Sequence, residues 1–164
     1  MTKIEGVTDF DTRIRDNPVE LLKEARKFTT ETDRLQSPYL VGIDILAKTF
    51  YVKQTPDDTL IEYKAKLKQA KEVFEAQFSK SVFDEFVKNT PEYKKAFNVQ
   101  AEKKLTDQGM ERFFGVLTIR NACSKRYGSF QENLKSSFSL NRDEYPDSLD
   151  SAIDLLNNQK WDQT

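Results

Sequence analysis

The chain has 164 residues, with 26 Lys and Arg against 27 Asp and Glu, a single Cys and no His. One Cys excludes an internal disulfide, and the lack of His removes the commonest zinc ligand and every Ser-His or Cys-His catalytic pair. A net charge of -1 gives no global pull toward nucleic acid or anionic membrane, and no apolar run approaches the ~18 to 20 residues that cross a bilayer.

Residues 1–16 are polar and aperiodic and are expected to form a leading arm; Met1-Thr2-Lys3-Ile4 does not read as a signal peptide. Asn17-Pro18-Val19-Glu20 is a helix start: a capping side chain, a proline suited to the first turn, and a carboxylate able to reach back to the cap. Val19, Leu22 and Phe28 or Thr29 follow at helical spacing, so a first helix is predicted to about Thr30. Ser37-Pro38 opens a second by the same device, with Leu40, Ile43, Leu46, Ala47 and Phe50 as its buried stripe. Thr49-Phe50-Tyr51-Val52 also suits a strand, and Pro56 ends the element either way.

The clearest element spans 59–78. Thr59 and Glu62 make a capping box, and Leu60, Tyr63, Leu67, Ala70, Phe74 and Gln77 or Phe78 recur at gaps of three and four. Shorter apolar periods follow: Val82, Phe83, Phe86 and Val87, then Tyr93, Ala96 and Phe97 after Thr90-Pro91. A helix from Thr106 to about Ala122 carries Met110, Phe113, Phe114 and Leu117, with Gly109 and Gly115 permitting close packing or marking a frayed start. Phe130, Leu134 and Phe138 predict a sixth helix after Gly128. Residues 141–146 form a polar loop, and Asp147 or Ser148 caps a last helix with Leu149, Ala152, Ile153, Leu155 and Leu156 inside. The expectation is an all-α protein of about seven helices, with a small N-terminal lobe (17–55) and a C-terminal lobe (57–160). Twelve Phe, six Tyr and one Trp concentrate the apolar surface in large rings.

Little in this pattern carries chemistry. Asp57-Asp58 and Asp143-Glu144 are tight carboxylate pairs, but neither has further ligands at metal-loop spacing, so no metal or cofactor is expected. Cys123 lacks an activating His and reads as a small buried residue. Lys125-Arg126-Tyr127 is a candidate weak RNA contact, or alternatively a basic helix C-terminus with Tyr127 as a core or rim anchor. No phosphate loop, dinucleotide fingerprint or HExxH motif occurs, and no enzyme is expected.

Two stretches together resemble the capsid region of copia-type retrotransposon Gag polyproteins. One runs from Pro56-Asp57-Asp58-Thr59-Leu60-Ile61-Glu62-Tyr63 through Leu67 to Val73. The other joins Arg126-Tyr127-Gly128 and Leu134 to Asn141-Arg142-Asp143-Glu144-Tyr145-Pro146, Ser148-Leu149, Ala152 and Leu155-Leu156. Pro18-Val19-Glu20-Leu21-Leu22 extends the likeness upstream. The resemblance implies a two-lobed, retroviral-capsid-like helical fold that self-associates into a particle shell around element RNA, in the cytoplasm and without an active site. It also implies that Thr59, Leu60, Glu62, Tyr63 and Leu67 form the core of an element similar to the major-homology element of capsids. Many such polyproteins carry a zinc knuckle after the capsid. This chain, with one Cys and no His, is expected to bind RNA weakly or through a further segment. Tyr39, Tyr93 and Trp161 are candidate interface residues between copies. The alternative is a helical adaptor that holds a protein partner in an apolar groove.

Overall fold

The computed structural model describes residues 37–159; the expected leading arm, the first predicted helix and Trp161 lie outside the described residues. Among the described residues 75% are helical and none is in a strand, so the chain is all-helical. Eight α-helices occur there: α1 (Pro38–Phe50), α2 (Leu60–Phe78), α3 (Asp84–Lys88), α4 (Pro91–Lys94), α5 (Val99–Asp107), α6 (Gly109–Asn121), α7 (Ser124–Ser139) and α8 (Leu149–Asn157). A 3-10 turn, Lys80–Phe83, joins α2 to α3.

The chain divides into two compact units, Met1–Ile43 and Asp44–Thr164, and the division falls inside α1. The described part of the first unit is the opening of that helix, where Tyr39, Leu40 and Ile43 are all exposed. In the second unit the rest of α1 turns Ile45, Leu46, Thr49 and Phe50 inward and leaves Ala47 out. The expected stripe through Leu40, Ile43 and Ala47 is therefore corrected. Those three share one apolar face, while Leu46 and Phe50 share the next, about a quarter turn away. The second face wins because Phe50 meets Phe74 and Phe113, at ring-centroid distances of 6.4 and 5.8 Å.

Helix α2 follows its sequence pattern. Tyr63, Leu67 and Phe74 are buried, with Leu60, Ala70 and Phe78 half-buried on either side. Its core face meets α8, whose Leu149, Ala152, Ile153 and Leu156 belong to the same cluster. Burying each of the Leu and Ile side chains is worth about 1.5 to 3 kcal/mol. An aromatic column extends the core beyond α2: Phe83 stacks on Phe74 and on Phe113, and Phe114 meets Phe74 edge-on. The alternation in 82–87 explains the short elements there. Phe83 and Val87 turn inward, whereas Val82 and Phe86 face solvent.

Helices α6 and α8 form the tightest pair. A Cβ at Gly115 would lie 2.8 Å from the carbonyl oxygens of Pro146 and Ser148, so the missing side chain is what lets the entry to α8 lie on α6. Gly128 sits inside α7 with nothing near its Cα face. Helix α7 begins at Ser124, five residues earlier than the expected start after Gly128, because the Arg126 and Tyr127 amides already donate to Cys123 O and close the first turn. The alternative placement of Lys125 and Arg126 at a helix C-terminus is corrected by the same observation.

Candidate functional site

The residues singled out at 59–67 meet the C-terminal end of α6. A helix leaves its last four carbonyls without intrahelical partners, here those of Thr118 to Asn121. Three of them are satisfied from outside. The buried Tyr63 hydroxyl donates to Thr118 O at 2.8 Å, Gln131 Nε2 donates to Ile119 O at 2.8 Å, and the Gln54 amide donates to Asn121 O at 3.0 Å. The Asn121 side chain returns the contact, donating to Phe50 O and Val52 O at 3.0 and 2.9 Å, while Gln54 Oε1 accepts from the Cys123 amide at 3.1 Å. The end of α1 and the segment after it are thus stitched to the end of α6 by backbone groups, and to Cys123 at the start of α7 by the Gln54 side chain. Burial pushes the Tyr63 phenol well above its ordinary value, so it stays a donor.

The entry to α2 is equally defined. Thr59 Oγ1 accepts from the Glu62 amide at 3.2 Å, and Glu62 Oε2 accepts from the Thr59 amide at 2.8 Å. That amide and the Thr59 hydroxyl hold the Glu62 carboxyl below its usual range. The Asp58 carboxylate accepts two bonds from Lys66 Nζ, at 2.7 and 2.8 Å, and a third from the Thr55 amide at 2.8 Å. The Lys66 hydrogen bond, with the Thr55 amide second, lowers its pKa to about 2. Asp58 is therefore a structural anion of this turn.

Other candidates fall in different places. Tyr127 is 1% exposed, so no base can stack on its ring. Arg126 donates to Asp58 O at 2.9 Å and to Pro56 O, which commits its guanidinium to the same turn. Lys125 of that trio is exposed, whereas Arg126 is half-buried and Tyr127 buried. Cys123 is buried. Asp143 pairs with Arg112 and accepts from the Tyr145 amide at 3.1 Å. Among the described residues, no three His, Cys, Asp or Glu side chains converge as metal ligands, and no helix is long and apolar enough to cross a membrane. Tyr39 is 85% exposed, whereas Tyr93 is half-buried with its hydroxyl 3.4 Å from Glu102.

One surface feature was not foreseen. The second half of α1, the following segment and one flank of α2 enclose an open groove of about 450 Å³. Ile45, Val52 and Val73 supply apolar walls, and Lys48, Lys53 and Lys66 stand among the lining residues without a carboxylate. Its lining has no regular sequence signal, since Lys48 lies between Ala47 and Thr49 while Val52 and Lys53 are adjacent. Residues 49–52 also suit a strand, although the upstream spacing favours a helix.

No family model, curated protein or solved structure matches this chain. The geometry therefore stands alone. In the second unit a polar network is centred on the turn into α2, and a basic, apolar-walled groove lies beside that helix.

Proposed function

We propose that the chain is a capsid-region protein of the copia-type Gag kind, whose activity is self-association into a particle shell with element RNA as cargo. One observation carries the reading: the two segments that bear the sequence resemblance join in one core. Tyr63 and Leu67 from the capping-box helix share a cluster with Leu149, Ala152 and Leu156 of the last described helix, and Lys64 Nζ meets Asp150 Oδ1 at 2.7 Å across the pair. That both halves of the pattern pack into one core supports the reading.

In this reading the chain performs no catalytic step and works through surfaces, as the particle's cytoplasmic building block. RNA affinity resides mainly in a further segment, since Arg126 and Tyr127 are committed internally. Repeated copies reuse weak contacts, so modest interfaces suffice for a closed shell. The groove beside α2 favours a second reading, a helical adaptor for an acidic partner. Light scattering at rising protein concentration separates the two. Growth in mass well beyond a dimer is the expected result. A strictly monomeric chain at hundreds of micromolar overturns the shell and leaves the adaptor.

A further inference from the structure

The groove needs an occupant with an apolar tip and negative charge, and this chain carries one. Helix α7 ends in a paired-hydrogen-bond cap. The Arg142 amide donates to Ser137 O and the Asn141 amide to Phe138 O, both at 3.0 Å, with Asn141 in the left-handed region at φ 61°. Asn tolerates that conformation better than a bulky residue would. The turn is further pinned by the Asp143 ion pair to Arg112 and by Tyr145 packed edge-on against Phe138, at 6.3 Å. Leu140 stands 66% exposed at its tip, beside the half-exposed Phe138 ring. Asp143 is taken by Arg112, and Glu144 with Asp147 still outnumber Arg142 in the same stretch. A turn held this firmly loses little conformational entropy on docking.

The groove offers the complement. Lys66 is taken by Asp58, but Lys48 and Lys53 make no ion pair among the described residues, and the walls behind them are apolar. Of the other exposed apolar knobs, Phe97 with Val99 follows the basic pair Lys94-Lys95 and so does not suit a lysine-rimmed groove, and Val82 with Phe86 does not match either. In the latter, Asp84 and Glu85 are offset by Lys80 and Lys88, and Lys88 already pairs with Glu85 at 2.6 Å.

Helix α2 also decides whether the contact is within or between copies. Lys66, Ala70 and Val73 face the groove from one flank, whereas Lys64 and Lys68 meet Asp150 of α8 from the other. On a helical wheel these flanks lie on opposite sides of the buried Tyr63-Leu67-Phe74 stripe. The turn leads directly into α8, so it belongs to the flank away from the groove.

We infer that the α7–α8 turn of one copy, with Leu140 at its tip, docks into the lysine-rimmed α1–α2 groove of the next. The inference rests on the self-association proposed above and names its contact. Two different patches meet, so the contact is head-to-tail: it propagates until a ring or shell closes. Opposite charges set its orientation and encounter rate, and Leu140 with Phe138 supplies the apolar anchor.

Two one-sided variants test it. Lys48→Glu/Lys53→Glu spoils the groove and keeps the turn; Leu140→Glu spoils the turn and keeps the groove. All three positions are at the surface, and unchanged helicity by circular dichroism checks folding. Each variant alone is expected to lose about tenfold or more in association constant by sedimentation velocity. Val73→Glu, a groove change on a different helix, should match the first. Lys103→Glu/Lys104→Glu, an equal charge change on exposed α5, should stay within about twofold of wild type. Mixed one to one, the groove and turn variants should form a dimer that does not grow, since each supplies the half the other lacks. Wild-type association that persists in the groove and turn variants overturns this contact while self-association stands, and opens the groove to another protein's acidic segment. A mixture that keeps growing overturns the head-to-tail geometry. A wild-type chain that stays monomeric at hundreds of micromolar overturns both proposals.

Discussion

Two glycines of similar sequence context have opposite meanings once their neighbours are known. At Gly115 an added methyl would strike backbone oxygens of Pro146 and Ser148 at 2.8 Å, and backbone cannot swing aside as a side chain can. Gly115→Ala should therefore destabilise by about 1 to 3 kcal/mol, the usual cost of overpacking. Gly128 has open space and helical backbone, so Gly128→Ala should stabilise by about 0.5 to 1 kcal/mol through propensity alone. Urea denaturation of both variants checks the opposite signs; destabilisation of equal size would mean that α7 is not continuous through residue 128. Asp58 gives a pH-dependent counterpart. Lys66 and the Thr55 amide bring its pKa from 3.8 down to about 2, so the folded state binds its proton less readily than the unfolded chain. The stabilisation is present above about pH 4 and is lost as pH falls through about 2. Asp58→Asn cannot titrate, so between those limits wild type should lose more of its denaturation midpoint than the variant does. Parallel slopes would place the acid sensitivity in other carboxylates, Glu62 and Asp150 first.

At the scale of elements, α2 shows what makes a helix readable. Its cap, its stripe and its lysine flanks all agree, so Leu67 sits wholly buried where the spacing put it, while Lys68 is exposed with a long 3.6 Å contact to Asp150. Leu67→Ala should cost about 2 to 5 kcal/mol, against under ~0.5 for Lys68→Ala, measured by chemical denaturation. Equal losses would mean the buried face is misassigned. Helix α8 was legible for the same reason, with Ser148 capping through the Ser151 amide at 3.1 Å and four apolar residues inside. Helix α1 was only half legible. It carries two adjacent apolar faces, and only the aromatic partners Phe74 and Phe113, distant in sequence, select the one with Leu46 and Phe50. The start of α7 was missed because Gly128 looked like a boundary, whereas the first turn is closed locally by Cys123 O. The site divides the same way. Thr59, Glu62, Tyr63 and Leu67 were visible through local capping and periodicity, but the destination of the Tyr63 hydroxyl, the commitment of Arg126 to carbonyls of 56 and 58, and the groove all depend on which elements meet.

For the whole molecule, the proposed assembly makes a definite statement about salt. The net charge of -1 leaves little long-range repulsion between copies, so association needs no counterion to permit it. The charges at the proposed contact, Lys48 and Lys53 against Glu144 and Asp147, are exposed at its edge. Edge charges of this kind steer encounter more than they hold a complex, and are screened within about 8 to 10 Å at ordinary ionic strength. Leu140, Phe138 and the apolar groove walls are indifferent to salt or strengthened by strongly hydrated anions. Raising sodium chloride should therefore slow the approach to the final size in stopped-flow light scattering, while the final mass stays the same or grows. RNA should behave in the opposite manner. With acids offsetting its bases and the 125–127 cluster largely internal, the chain should bind RNA weakly, and that binding should fall steeply as salt rises. Assembly should then proceed without RNA and survive the salt that strips it. If particles form only with RNA present and dissolve as salt rises, the phosphate backbone rather than the protein contact is holding the copies together, and the shell reading fails in favour of simple co-condensation on a polyanion.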